Sequence, residues 1–225
     1  MAFVPGTTIG PYEIVSLLGA GGMGEVYRAH DPRLRRDVAI KVISRALASD
    51  SVTVDRFIRE AISASALNHP NVVTIYETGD TPNGRYVAME LVQGVTLREV
   101  LRDGLDPEQA RDIGRQVAEA LAVAHGAQIV HRDVKPENVM VREDGYVKVL
   151  DFGLARVERV ERDGATVSFA TGSGLVIGTI GYMSPEQAQG EPVTAASDVF
   201  SLGRNGASAR PITTWERWSR RMRTS

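Results

Sequence analysis

The chain contains no cysteine among its 225 residues, so it has neither a disulfide framework nor a thiolate for catalysis or metal binding. It also lacks an apolar run close to the roughly 18 residues that a membrane-spanning helix needs. Its first residues show no basic segment followed by a long apolar stretch, the pattern typical of a secretory signal. These absences predict a cytoplasmic protein with no membrane segment.

The chain also has little excess of charge of either sign, because 26 Lys and Arg face 28 Asp and Glu, a net charge of −2. Such a balance argues against nucleic acid as a partner. Hydrophobic residues make up 43% and charged residues 24%, which is typical of a globular chain. The length suits one large domain or two small lobes.

The segment richest in chemistry is 131–138, with the sequence HRDVKPEN. Here Asp133 can accept a proton from a hydroxyl, Lys135 can neutralise a migrating phosphoryl group, and Asn138 can hold a divalent cation. A second carboxylate, Asp151, follows a predicted hairpin turn. Magnesium prefers such hard oxygen ligands and usually binds through one or two carboxylates plus substrate phosphates. A polar loop with helix-capping residues explains any one of these side chains, but it explains the ordered set poorly.

A glycine-rich stretch follows the first predicted strand, where Gly19, Gly21 and Gly24 allow backbone N–H groups to approach a phosphate closely. The spacing alone is ambiguous, because dinucleotide-binding folds share it. Those folds need a helix directly after the glycines, whereas residues 26–29 alternate like a strand. The absence of a Gly-Lys-Ser/Thr ending also excludes a Walker A loop. The glycines are therefore predicted to close a hairpin.

Lys41 interrupts the apolar third strand, and a lone strand lysine most often lies on the solvent face of an edge strand. The helix predicted for residues 52–67 carries Glu60 on the same face as Phe57 and Ala64. A carboxylate in an apolar stripe is costly to desolvate unless it meets a cation. We therefore expect Lys41 to be the partner of Glu60.

Together these segments resemble the protein kinases, and in particular the bacterial eukaryotic-like (Hanks-type) serine/threonine protein kinases. The resemblance implies an α+β fold of two lobes: a small β-rich N-lobe with one key helix, and a mainly helical C-lobe that is incomplete here. It divides the chain into an N-terminal extension (1–11), the N-lobe (12–92), a partial C-lobe (93–203) and a divergent basic tail (204–225).

The resemblance also implies roles for individual residues. Asp133 is implied as the catalytic base, with Lys135 and Asn138 beside it, and Asn138 and Asp151 as ligands of Mg²⁺ or Mn²⁺. Thr179, together with Lys135, points to serine/threonine substrates. The residues implied in binding ATP are Leu18, Gly19, Ala20, Gly21, Gly22, Met23, Gly24, Val26, Ala39, Lys41, Glu60, Met89, Glu90, Val92 and Met140.

Two further segments take their roles from the resemblance. Residues 90–92 resemble the hinge whose backbone contacts adenine, and the following Gly94 is expected to loosen the chain between the lobes. Residues 154–177 resemble the activation segment, in which a phosphate orders the loop by pairing with arginine. Its candidate phosphorylation sites are Thr171 and Ser173, with Arg132 as the receiving cation.

The resemblance stops after Gly203, where the family continues with an apolar helix. Asn205-Gly206 is instead a turn signal, and the last 22 residues hold six arginines. We interpret this tail as the product of a frameshift, against the alternative of a genuine basic tail that binds an acidic partner. Without the later helices, Glu186 is expected to be a buried carboxylate that lacks its arginine partner, which predicts a poor kinase. Asp198 is still expected to cap the catalytic-loop backbone.

Three classes of function fit these patterns. The first is an ATP-dependent protein kinase with autophosphorylation, for which a homodimer is one arrangement. The second is a pseudokinase-like nucleotide-binding regulator, although such proteins usually lack one of the five residues Lys41, Glu60, Asp133, Asn138 and Asp151, all present here. The third is a small-molecule phosphotransferase of similar fold, but residues 38–41 and 184–186 favour protein substrates.

Overall fold

The computed structural model describes residues 3–21, 24–43, 51–81, 84–152 and 181–208. Within these residues the chain forms two lobes in sequence order. The first is a six-stranded sheet with one helix, and the second is mainly helical with a three-stranded sheet. This is the two-lobed α+β arrangement predicted from the sequence.

The first lobe is a sheet whose neighbouring strands are all antiparallel. The strands are β1 (Thr8–Ile9), β2 (Tyr12–Gly21), β3 (Gly24–Asp31), β4 (Arg36–Ile43), β5 (Ile75–Thr81) and β6 (Gly84–Glu90). Their spatial order in the sheet is β1-β2-β3-β4-β6-β5. The predicted glycine hairpin is confirmed, because β2 and β3 pair out to Gly21 opposite Gly24.

The side chains on the two faces of strand β4 pack in different apolar cores, because successive side chains of a strand point to opposite faces. Val38 and Ile40 join an apolar cluster on one face. Ala39 and Ile43 pack with the helix α1 (Ser51–Ser65) on the other face. Lys41 lies between Ala39 and Ile43 in this alternation and is only 7% exposed. It is therefore not the solvent-facing edge lysine of the alternative interpretation.

The sequence predicts a strand over residues 72–78, but the strand begins later, at Ile75. Val72 forms a parallel bridge to Val149 in the second lobe. The N–H of Val73 donates to the Val149 carbonyl at 3.0 Å, and the N–H of Val149 donates to the Asn71 carbonyl at 2.8 Å. Residues 71–73 are thus held by the second lobe, and only from Ile75 does the chain pair within the first sheet.

The second lobe contains a small sheet of order β7-β8-β9 and four helices in the part of the chain that the structure describes. Gly94 lies against this sheet, since a Cβ atom there would be 2.3 Å from the Val141 carbonyl oxygen. Close approach, rather than looseness, therefore accounts for this glycine. The elements are β7 (Val95–Thr96), α2 (Leu97–Asp103), α3 (Pro107–Gly126), β8 (Val139–Val141), β9 (Val147–Val149), α4 (Pro185–Gln189) and α5 (Ala195–Ser208).

Helix α3 supports the segment that leads to strand β8. The sequence Asp106-Pro107-Glu108 predicts its start, with an N-cap, a proline at the first position and an acid in the first turn. The helix begins there, and the Asp106 carboxylate accepts hydrogen bonds from the N–H groups of Glu108 and Gln109. Its buried residues include Val117 and Leu121, which share one core with residues of β8 and β9 and with Phe152. Residues 131–138 therefore rest on a packed helix.

Helix α5 continues past Gly203 and ends at Ser208. The turn predicted at Asn205-Gly206 is therefore wrong, because both residues lie within the helix. Residues 209–225, which include most of the basic tail, lie outside the described residues. None of the helices in the described ranges combines the length and the apolar character needed to cross a membrane.

Candidate active site

Three of the predicted catalytic residues form one hydrogen-bonded cluster. The Asp133 carboxylate accepts hydrogen bonds from Lys135 Nζ at 2.6 Å and from Asn138 Nδ2 at 2.9 Å. Asn138 Nδ2 also donates to the Asp133 carbonyl at 2.8 Å. A single turn of 3-10 helix, Pro136–Asn138, turns the chain back so that Asn138 reaches Asp133. The cluster therefore holds one carboxylate with a cation and an amide against it.

The backbone that presents Asp133 is held by Asp198, as predicted. This fully buried carboxylate accepts hydrogen bonds from the backbone N–H groups of His131 and Arg132, both at 2.8 Å. His125 Nε2 lies 2.7 Å from the same carboxylate. Arg132 has a φ of 68°, a left-handed conformation that costs a non-glycine residue about 1–3 kcal/mol. The two N–H bonds stabilise it.

The second predicted carboxylate, Asp151, lies two residues after the end of strand β9 and has a φ of 57°. The Leu150 N–H donates to the Asn138 carbonyl at 2.8 Å, which places Asn138 and Asp151 at the same end of the β8–β9 pair. Asp151 Oδ2 is 2.7 Å from Lys41 Nζ. Burial disfavours the charged carboxylate, but the adjacent Lys41 ammonium outweighs it and holds the pKa of Asp151 below its ordinary value. Asp151 is thus a carboxylate at neutral pH.

The donor set fits a divalent cation that also binds phosphate. The described residues hold no cluster of three or more His, Asp or Glu side chains that could bind a metal by themselves. One ionised carboxylate, Asp151, and one amide oxygen, from Asn138, stand at the same end of the strand pair. This matches Mg²⁺, which commonly takes one or two carboxylates from the protein and completes its shell with water and substrate phosphates.

Lys41 and Glu60 have other partners than the sequence predicted. Lys41 pairs with Asp151, and Glu60 pairs with Arg132 at 3.1 Å across the two lobes. The predicted Lys41–Glu60 pair is not among the ion pairs of the described residues, and it stays a prediction for the ATP-bound state. The helix face itself is as predicted, because Phe57 is buried while the Glu60 side chain is 20% exposed.

The predicted nucleotide-binding residues lie on several elements. The glycine hairpin carries Leu18 to Gly21, Gly24 and Val26 on β2 and β3, and strand β4 carries Ala39 and Lys41. Helix α1 carries Glu60, strand β6 carries Met89 and Glu90, and Val92 follows in the connection between the lobes. Strand pairing brings some of them together, with Val26 opposite Lys41 and Ala39 opposite Met89. Met140 lies on β8, opposite Lys148.

Several predictions fall on residues outside the described ranges. These are Gly22 and Met23 of the glycine hairpin, the phosphorylation sites Thr171 and Ser173, and Thr179.

The prediction for Glu186 is wrong. Its side chain is half-exposed rather than buried, and its carboxylate accepts a hydrogen bond from the Ser197 hydroxyl at 2.5 Å. That bond lowers the pKa of Glu186. Glu186 is therefore not a buried charge without a partner, and the stability penalty expected for one does not apply.

Sequence reasoning missed Lys148, which contacts Glu90 from strand β9 at 2.8 Å. The available signal was the same as for Lys41, a lysine within an apolar strand. This signal does not by itself predict a buried contact, because strand alternation also allows such a lysine to face solvent.

Comparison with known proteins agrees with this geometry. Residues 12–206 match the family of the protein kinase domain. The serine/threonine-protein kinase PknB of Mycolicibacterium smegmatis is 49% identical over 198 residues, which cover 85% of this chain and 31% of that protein. PrkC of Bacillus subtilis, also named a serine/threonine-protein kinase, is 42% identical over 196 residues, covering 86% and 29%. The chain thus spans less than a third of the length of these relatives.

Among solved structures, the kinase domain of Mycobacterium tuberculosis PknI is similar to this chain, with a TM-score of 0.73 and 28% sequence identity. The likeness covers 92% of this chain and 74% of that one.

Proposed function

Because the chain belongs to the family of the protein kinase domain, whose members use ATP and a divalent cation, we propose that it is the catalytic domain of a serine/threonine protein kinase. It transfers the γ-phosphoryl group of ATP to Ser and Thr hydroxyls of proteins. The observation that carries the proposal is the Asp133–Lys135–Asn138 cluster, held by Asp198 beside Asp151. The names of the relatives PknB and PrkC support the substrate class.

Asp133 is the residue that receives the proton. As the substrate oxygen forms its bond to phosphorus, its O–H bond breaks and the proton passes to the Asp133 carboxylate, while the γ-phosphoryl group leaves ADP. Lys135, 2.6 Å from that carboxylate, places a positive charge beside the site of transfer. Asn138 fixes the orientation of Asp133 through its two hydrogen bonds.

Asn138 and Asp151 are the residues proposed to hold Mg²⁺, or Mn²⁺ in its place. Bound there, the cation neutralises charge on the transferred phosphoryl group. The lowered pKa of Asp151 keeps this ligand charged. Lys41 is proposed to bind the ATP phosphates. When it does so, its ammonium exchanges the contact with Asp151 for contacts with the nucleotide and with Glu60.

The purine is proposed to lie between the lobes. Val26 and Ala39 of the first lobe and Met140 of the second supply apolar contacts. The backbone of residues 90–92 supplies hydrogen bonds. A cytoplasmic location, where ATP is available, is part of this proposal.

Two substitutions separate catalysis from nucleotide binding. Asp133→Asn is expected to keep Mg-ATP affinity, measured by calorimetry, and to lower phosphate transfer to a protein substrate by about 10²-fold or more. Asp151→Ala is expected to lose magnesium-dependent ATP binding. Asp144→Asn, an exposed carboxylate on the β8–β9 turn, is the matched control and should change neither. Normal turnover by Asp133→Asn contradicts the assignment.

We also propose that Thr171 and Ser173 are autophosphorylated by a second copy of the chain. Arg132 supports this proposal, because it directly precedes Asp133 in the chain and its side chain is 39% exposed. A phosphate brings a charge of about −1.5 to −2 and strong acceptors for arginine. Active chain and the Asp133→Asn variant are mixed with Mg-ATP, and the variant is examined by mass spectrometry. Phosphate only at Thr166 and Ser168, or none on the variant, contradicts the proposal.

A further inference from the structure

Lys148 is a buried charge that the proposed reaction does not use. It lies at the centre of β9 and is 9% exposed. Its ammonium donates hydrogen bonds to Glu90 Oε2 at 2.8 Å and to the Val72 carbonyl at 3.2 Å. A buried ammonium is strongly destabilising unless such partners meet it. The position of its partners therefore indicates what Lys148 does.

Glu90 is the last residue of β6, where the chain leaves the first lobe. Its carboxylate accepts hydrogen bonds from Lys148 and, at 3.2 Å, from the Thr74 N–H. Its own N–H donates to the Thr74 carbonyl at 2.8 Å. Glu90 is thus fixed through both side chain and backbone at the start of the connection between the lobes.

The other end of the contact is tied to the second lobe. Lys148 belongs to β9, which pairs with β8, and Asp151 follows three residues later. The Lys148–Glu90 ion pair therefore joins the strand that leads to the proposed metal ligand with the first residue of the predicted hinge.

We propose that Lys148 is a positioning residue for the purine of ATP, acting through Glu90. The inference rests on the proposed function, which places the purine at residues 90–92. Because the Glu90 N–H already donates to the Thr74 carbonyl, the backbone groups that can form hydrogen bonds with the purine are the Glu90 carbonyl and those of the two residues that follow. These groups lie directly beyond the residue that Lys148 fixes.

The phosphate-binding residues depend on other contacts. Lys41 and Asp151 bind each other at 2.7 Å, and Asn138 is held by Asp133. Loss of the Lys148 ammonium leaves these contacts in place. It leaves the Glu90 carboxylate, whose side chain is 21% exposed, with the longer contact to the Thr74 N–H, so the side chain and the hinge backbone that follows it are held less firmly. Lys148 therefore affects the purine end of the nucleotide selectively.

The experiment compares a ligand that carries only the purine nucleoside with one that carries only phosphates. Binding of adenosine and of magnesium tripolyphosphate to the full chain is measured by calorimetry for wild type and Lys148→Met. Adenosine affinity is expected to fall about ten-fold, while tripolyphosphate affinity stays within about two-fold. Arg142→Met is the matched control, since this exposed arginine pairs only at the surface with Asp144, and both affinities should be unchanged.

The Glu90→Gln variant tests the same contact from the other side and serves if Lys148→Met does not fold. It keeps the shape of the side chain and removes the charge that binds Lys148, so adenosine affinity should again fall selectively. The double variant should lose no more than the worse single variant, because both remove one contact.

Three outcomes contradict either the role of Lys148 or the proposed function, and they can be told apart. Equal loss of both ligands in Lys148→Met assigns the lysine a general structural role and overturns the inference. Unchanged adenosine affinity in Lys148→Met and in Glu90→Gln also overturns it. A wild-type chain that binds neither ligand overturns the proposed function itself.

Discussion

Arg132 directly precedes the proposed catalytic base, and Asp151 is a proposed metal ligand. Both residues have positive φ angles. Non-glycine residues adopt this conformation rarely, and such strain concentrates at functional sites. Each residue is held by a strong contact: Arg132 by the Asp198 carboxylate, and Asp151 by Lys41. The strained backbone is thus stabilised by charged groups from other parts of the chain.

The Lys41–Asp151 contact predicts a pH dependence of stability. The pKa of Asp151 in the folded chain lies below its ordinary value of 3.8. The contact with Lys41 therefore makes its full contribution to the unfolding free energy when the pH is above 3.8, and this contribution is lost as the pH falls through the folded-state pKa. The difference in unfolding free energy between wild type and Asp151→Asn should be constant from about pH 7 to 5 and should narrow below about pH 4. Urea denaturation across this range measures it.

Asn tolerates the left-handed backbone as well as Asp does, so this substitution tests the charge. Asp144→Asn is the control; its exposed pair with Arg142 should contribute little at any pH. A difference between wild type and Asp151→Asn that widens in acid contradicts the assignment of the lowered pKa to Lys41.

Residue spacing predicted the cluster of Asp133, Lys135 and Asn138, because all three lie within one short loop. It did not predict the partners of Lys41 and Glu60. Those depend on how helix α1 is placed between the lobes, and helical periodicity gives the face of a residue but not the position of the helix. The Lys148–Glu90 contact was missed for the same reason, since it joins residues far apart in the chain.

At the scale of elements, Gln116 of helix α3 connects its helix to β9, to the β8–β9 turn and to the segment between α1 and β5. Its side-chain oxygen accepts hydrogen bonds from Asn71 Nδ2 at 2.8 Å and from the Val147 N–H at 2.9 Å. Its nitrogen donates to Asp112 and to the Gly145 carbonyl. This one side chain therefore holds the segment between α1 and β5 against the second lobe.

Gln116→Leu should destabilise the fold by about 2–3 kcal/mol, because it removes the acceptor of the buried Val147 N–H and one of the two acceptors of Asn71 Nδ2. Urea denaturation followed by circular dichroism measures the loss. Gln189→Leu, an exposed position at the end of α4, should change stability by less than about 0.5 kcal/mol. Equal effects of the two substitutions contradict the connecting role of Gln116.

Local signals predicted the elements that depend on neighbours in sequence. The β2–β3 hairpin and helix α3, with its cap at Asp106, are the clearest cases. Strand β7 and helix α2 were not predicted, because they are only 2 and 7 residues long. The late start of β5 was also missed, because hydrogen bonds from β9 rather than local propensity hold residues 71–73.

At the scale of the whole molecule, helix α5 leaves apolar surface uncovered in the described part of the chain. Val199 is 61% and Phe200 41% exposed, although their neighbour Asp198 is buried. Adjacent apolar side chains on one helix favour association with other apolar surfaces. This surface, rather than the charge of Glu186, is now the physical reason to expect weak activity from the chain.

Purified residues 1–225 are expected to autophosphorylate only weakly and to show a broad thermal transition, with self-association detected by light scattering. Replacing Val199 and Phe200 together by Glu should reduce the scattering, because it breaks the apolar surface. The matched control is Glu at exposed Ile62 of α1, which is 57% exposed. A sharp melt that Mg-ATP raises by several degrees, with measurable phosphate transfer, contradicts this expectation.

The two-lobed architecture was predictable because several motifs in a fixed order restrict the chain to one family. The continuation of α5 through Asn205-Gly206 was not, because a turn-forming dipeptide reports local preference alone. The helix has already been established by residues 195–203, and extending an existing helix costs less than starting one.

The Asp198 carboxylate has a consequence for hydrogen–deuterium exchange. Loop amides usually exchange fast, since their hydrogen bonds open locally. The His131 and Arg132 amides instead donate to Asp198, a buried side chain of α5 itself, so their protons leave only when that helix separates from α3. A peptide that spans them should stay protected as long as one from β9, while the adjacent β8–β9 turn exchanges first. The loop proposed to carry the chemistry is therefore expected to be among the slowest-exchanging parts of its lobe.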